Sequence, residues 1–297
     1  MSKSKDAFCQ ISGRVGDLVY FVRGGRQIIR SMPASVRNPQ TEGQMLQRMK
    51  WANVLAVYKC LKSYLKDAFE TKSGGQTDYS CFMSTNLHAA PVYLPKDEVR
   101  MGAAVVAPYV ISQGSLPAIR TEGVVPVTDI VLGTLRMDGD TTVGEFARAV
   151  VRHNSGFRYG DWLSFFSLRQ ETDGQDGHPY ITASVHRVCL APADGTRLRD
   201  VAPASGFSTV GGRLGADAAL AESGVAWVHS RTVNGRVYVS SQRLVVANEL
   251  LEQYGSSEML SVAAVSYGGS AGRRSGEAAS VPCLRPGQGV RRAGIEP

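Results

Sequence analysis

Apolar and polar positions alternate at short period near the start of the chain. Leu18-Val-Tyr-Phe-Val22 and Gln27-Ile-Ile29 are rich in β-branched and aromatic residues and flank Gly24-Gly25, a pair that tolerates the positive φ of tight turns. The pattern predicts a β-hairpin over residues 11–33, with Gly13 and Gly16 marking a bend, bulge or close backbone approach ahead of it. A two-stranded ribbon is marginal in water, so it is expected to pack on the following helix, on later strands or on a partner. After the Asn38-Pro39 turn, Thr41 and Gln44 have capping-box spacing and open an amphipathic helix running to Phe69. At about 100° per residue, Trp51, Val54, Tyr58, Leu61, Leu65, Ala68 and Phe69 form one apolar stripe. Arg48, Lys59, Lys62 and Lys66 cluster beside it, interrupted by Ala52 and Leu55.

Further on, the period shortens again. A second helix is predicted over Thr77–Leu87, a strand over Val105–Ser112, a connection over residues 114–128 and a strand over Asp129–Leu135. Thr142 and Glu145 are a capping-box pair opening a helix to about Arg152. Asp161–Gln170 and Tyr180–Leu190 read as strands joined across Gly174–Gly177, and Val225–Val233 and Arg236–Val246 flank Asn234-Gly235, a strong hairpin signal. A last helix is expected over Glu258–Val265; beyond Gly268 the chain is poor in apolar residues and is expected to be disordered. The fold class is α+β. It has an N-terminal basic β-hairpin with a long helix, an antiparallel β-rich, sandwich-like or half-barrel domain under one helix, and a disordered C-terminal tail. The expected units are residues 1–120, 121–268 and 269–297.

Charge sharpens this division. The net charge of +7 splits into +8 for residues 1–72, −4 for residues 73–272 and +3 for the remainder, and every basic residue after Lys96 is an arginine. A basic N-terminal module suggests an anionic partner, or the acidic body of a neighbouring subunit. The 43% hydrophobic and 20% charged content suits a globular protein. Five scattered cysteines without Cys-x-x-Cys argue against a disulfide framework. Neither a secretory signal nor an apolar run long enough to span a bilayer is visible, so the expected location is cytoplasmic or virion-associated.

Candidate chemistry is thin. Gly268-Gly-Ser-Ala-Gly272 has the nucleophile-elbow pattern, but no Asp or His follows Ser270 and the next residues are Arg, Gly and Pro. His186 and Cys189 are three apart, an odd separation that puts them on opposite faces of a strand. His88, His153, His178 and His229 lack zinc-site spacing, and Asp173-Gly-Gln-Asp-Gly177 lacks the calcium-loop pattern. Phosphate-binding glycine motifs are absent too. The sequence therefore reads as a non-enzyme with no cofactor and no metal.

Some residues carry a resemblance. Gly13-x-x-Gly16, Tyr20-x-x-x-Gly24-Gly25, Arg30-Ser31-x-Pro33, Asn38-Pro39-x-Thr41-x-x-Gln44-x-x-Arg48 and Ser112-Gln-Gly-x-Leu-Pro117 resemble an uncharacterised family of Bacteroidota proteins, known as a domain of unknown function. Stretches similar to Asn38–Arg48 also occur in phage and prophage proteins. The resemblance covers about residues 8–120, implies a compact small-protein module and supplies no catalytic residues.

Three roles stand open. The first is a structural or assembly protein, phage- or prophage-associated, that docks through its basic module on protein subunits, its own or a neighbour's. The second is a nucleic-acid-binding protein using the same surface, since interleaved aromatics and arginines suit stacking and phosphate contact. The third and weakest is an enzyme of unrecognised type. The residues expected at the contact are Arg23, Arg26, Arg30, Arg48, Lys59, Lys62 and Lys66, with solvated, edge-protecting charges as the bland reading.

Overall fold

A computed structural model describes residues 12–23, 26–35, 41–124, 127–175, 177–202, 215–216 and 223–268. The predicted tail after Gly268, and Ser270 with it, lie outside these residues. Three strands come first: β1 (Gly13–Val15), β2 (Leu18–Arg23) and β3 (Arg26–Ser31), an antiparallel sheet in that order. β1 is the strand the pattern concealed. Val15 pairs with Leu18, so Gly16 and Asp17 make a two-residue turn, with Gly16 at φ 57.

Helix α1 (Glu42–Leu61) is capped by Thr41, whose hydroxyl accepts from the Gln44 amide. It stops eight residues short of Phe69; farther on, Asp67 adopts φ 60 and donates its amide to the Asp78 carboxylate. The buried face of α1 is Met45, Met49, Asn53, Val54, Val57 and Leu61; of the predicted stripe, Val54, Leu61, Leu65, Ala68 and Phe69 are buried and Tyr58 packs against the core, while Trp51 lies outside it. Trp51 is 41% exposed. The reason is Asn53. It is fully buried, donating to the Val105 carbonyl and the Tyr109 hydroxyl and accepting from the Val105 amide. A polar residue at the centre of the buried face turns the hydrophobicity pattern about a quarter turn away from the true core.

Next come α2 (Asp78–Asn86), with a Thr77/Ser80 capping box, and α3 (Lys96–Met101). The buried segment 103–109 forms no ladder of its own. Side-chain amides serve its backbone instead: Asn53 at Val105, Gln170 at Ala104 and Val106, and Asn248 at Val106. Asn86 does the same for Val110 at the start of β4 (Val110–Ser112). Buried backbone groups left without such partners would be costly.

Strands β5 (Thr121–Val124) and β6 (Val127–Ile130) pair within the stretch expected to be a connection. Helix α4 (Val143–His153) carries the expected Thr142/Glu145 capping box. The long strands β7 (Trp162–Thr172) and β8 (Pro179–Cys189) follow, then α5 (Leu198–Val201), β9 (Gly215–Ala216) and β10 (Ser223–Val233). Asn234 (φ 50) and Gly235 (φ 75) make the hairpin turn into β11 (Arg236–Val239). The chain closes with β12 (Gln242–Arg243), β13 (Val245–Ala247), α6 (Glu249–Gly255) and α7 (Ser257–Ser266).

The central sheet runs β11-β10-β7-β8, with β13 also pairing β10. Helical and irregular layers cover both faces, where sheet-on-sheet packing was expected. Phe166, Leu168, Ala226 and Val228 pack in one core with Val54, Val57, Leu61 and Phe82. Leu163, Phe165, Val225 and Trp227 pack in another with Phe146, Ala147 and Val150 of α4. Burial on both faces explains the uninterrupted apolar run Val225–Val228 in β10. The first core joins residues on both sides of position 120, and β4 pairs with β12 across the same line.

Candidate functional site

Register sorts the N-terminal sheet into two unlike faces, since directly opposed residues share a face. Arg14 lies opposite Val19, which lies opposite Arg30; Phe21 opposes Ile28, and Arg23 opposes Arg26. One face therefore carries Arg14, Arg26 and Arg30 around Val19, Phe21 and Ile28, with the Arg23 position in the same register. The Arg30 guanidinium lies over the Phe21 ring, 5.8 Å from its centroid. The other face carries Val15, Leu18, Tyr20, Val22 and Ile29, with Gln27 and Ser31 as its polar positions, and no charged residue. Four of these are 62%, 40%, 46% and 54% exposed (Val15, Leu18, Val22 and Ile29). None of the described residues of this sheet belongs to either core.

The seven residues expected at the contact fall into separate groups. Arg26 and Arg30 share the sheet face; of Arg23 only the backbone is described. Arg48 and Lys59 are exposed on α1, on the same side as Trp51, Lys62 is its C-terminal cap, and Lys66 is exposed beyond the helix end. Arg14 belongs with the sheet group. It escapes the sequence because β1 does.

A buried polar network lies elsewhere. The fully buried His229 stacks on Phe157, rings 3.9 Å apart and 15° from parallel. Its Nδ1 is 2.9 Å from the Pro117 carbonyl and its Nε2 is 2.9 Å from Asp161 Oδ2. Arg231 grips Asp161 through Nε at 2.6 Å and a terminal nitrogen at 2.7 Å, and donates to the Gly156 carbonyl. Burial opposes the Asp161 charge, but Arg231, the Arg158 amide and His229 outweigh it and hold the carboxyl below its ordinary range. Both ring nitrogens lie against oxygen atoms, so the triad works as a clamp that ties β10 to Asp161 and to Pro117. The one signal for it in the sequence is a histidine directly after the apolar run Val225–Val228.

The clamp holds one end of Ser112-Gln-Gly-x-Leu-Pro117. At the other end Ser112 donates to the Ser240 carbonyl, the Gly114 amide donates to Ser241 and the Leu116 amide to the Val239 carbonyl. Glu70 accepts from the amides of Ser115 and Val239. Burial pushes the Glu70 carboxyl up, but these amides and Arg236 bring it below its ordinary value. A Cβ at Gly114 would collide with Glu70 and the Val239 carbonyl. These motif residues strap the helical segment to β11.

His186 and Cys189 oppose Phe165 and Trp162 and so point to opposite faces of β8. Burial lowers the His186 pKa. Among the described residues, no group of three or more His, Cys, Asp or Glu is placed to hold a metal ion, and no helix is long and apolar enough to cross a membrane. Residues 10–128 match a family of unknown function, DUF6266. The match takes in the N-terminal sheet, α1 and the strap. No curated protein and no solved structure matches the chain.

Proposed function

We propose that the protein is a non-enzymatic assembly component that docks on a neighbouring protein subunit, in the first instance a second copy of itself, through the apolar face of its N-terminal sheet. The supporting observation is the uncovered row Val15, Leu18, Val22 and Ile29. Contiguous apolar surface of this kind marks interaction sites. By register this face carries no charged residue, so two copies can stack with Arg14, Arg26 and Arg30 turned outward and no like-charge cost. A three-stranded sheet of this length measures about 20 by 14 Å, less than the roughly 800 Å² per partner of a standard interface. Association is therefore weak and concentration-dependent. Likeness of Asn38–Arg48 to phage and prophage stretches supports a virion-associated setting, which neighbouring capsid or tail genes would corroborate.

Light scattering of the full chain across concentration tests the reading. Self-association that Val22→Gln/Ile29→Gln abolishes supports it; a monomer at every concentration, unchanged by the pair, overturns it.

A further inference from the structure

The opposite face of the same sheet has a different chemistry. Arg14, Arg26 and Arg30 are exposed there, and none of them pairs with a carboxylate among the described residues. The only acidic residue from 12 to 35 is Asp17, in the β1–β2 turn. The geometry points to this face as a binding surface for the phosphate backbone of nucleic acid, independent of the apolar face behind it.

Spacing favours phosphate over an acidic protein. Arg26 and Arg30 are four residues apart on one strand, about 13–14 Å, and Arg14 lies two strands from Arg30, about 10 Å. A folded partner would need carboxylates fixed at those same separations. Duplex DNA presents a charge about every 1.7 Å of its axis, so phosphates come within reach however it lies across the face. The cations are all arginines, whose planar fork donates paired hydrogen bonds to phosphate oxygens. Phe21, already under Arg30, is an apolar floor that keeps that side chain flat on the sheet.

The test is fluorescence anisotropy of a duplex oligonucleotide of arbitrary sequence with the full chain, titrated from 50 to 200 mM salt. Three phosphate contacts give a log–log slope of about −2.7, which is about fortyfold in affinity over that range. Arg14→Gln/Arg26→Gln/Arg30→Gln flattens the slope toward zero while its thermal melt stays unchanged. Val22→Gln/Ile29→Gln, which removes self-association, leaves the slope intact, so the two faces fail separately. No salt-sensitive binding by the wild type, a slope untouched by the triple variant, or equal competition by poly-glutamate at matched charge would each overturn the assignment.

Discussion

Two antiparallel sheets in this molecule draw on the same residue types and end in opposite conditions. In the central sheet, Phe165, Phe166, Leu168, Trp227 and Val228 are buried from both sides by helices and by the segment 103–109. In the N-terminal sheet, Val15, Leu18, Val22 and Ile29 are uncovered on one face and arginines occupy the other. β propensity makes strands in both places; burial alone distinguishes a core from a surface. The central sheet is stabilised from within the chain. The N-terminal sheet, which belongs to neither core, is proposed to find its cover in a partner.

The contrast is broken most severely at the clamp. Asp161→Ala leaves the Arg231 guanidinium without its counter-ion and the His229 ring without its Nε2 partner, and should cost about 3–5 kcal/mol by denaturant unfolding. The pH dependence has a definite sign. Because the native Asp161 carboxyl lies below its unfolded value, its contribution is present above about pH 4 and is lost as pH falls through the native pKa. Asp161→Asn should lack that acid-labile part of the stability. Trp227→Ala, which empties the α4 side of the sheet, should cost a similar amount, about 3–5 kcal/mol.

Intermediate effects belong to the strap. Gly114→Ala forces Glu70 or the Val239 backbone aside and should cost about 1–3 kcal/mol. Glu70→Gln should recover none of it, since the clash is with space and not with charge.

Smallest are the substitutions in the uncovered regions. Val22→Gln/Ile29→Gln should shift monomer stability by no more than about 0.5 kcal/mol while removing self-association. Trp51→Ala, on the exposed face of α1, should be equally mild. A large loss of stability from Trp51→Ala would mean that this face is covered in the folded monomer.

Local chemistry is the part of the fold that a linear reading reaches. The strands flanking residues 24–25, the Asn234-Gly235 turn and the Thr142 capping box each depend on residues within a few positions of one another, and each is found where expected. Other features depend on distance. Asn53 is a core residue because of Val105 and Tyr109, and nothing adjacent to it announces that. His229 meets Asp161 across 68 residues of sequence and Pro117 across 112. Arg14 was hidden by a two-residue turn that reads equally well as a bend. At the candidate site, arginine identity was legible and the sorting of the arginines onto one face was not, because a face requires a register.

Among the described residues the N-terminal sheet belongs to neither core, and the proposed docking depends on that sheet being uncovered in the monomer. Native-state hydrogen exchange on the dilute monomer tests this directly by comparing amides of residues 18–31 with those of β7 and β10. The account predicts that β7 and β10 are protected up to the free energy of global unfolding, that the 18–31 amides exchange by local opening orders of magnitude faster, and that they slow as concentration rises in the wild type but not in Val22→Gln/Ile29→Gln. Equal protection of the two sheets in the dilute monomer, independent of concentration, would contradict it.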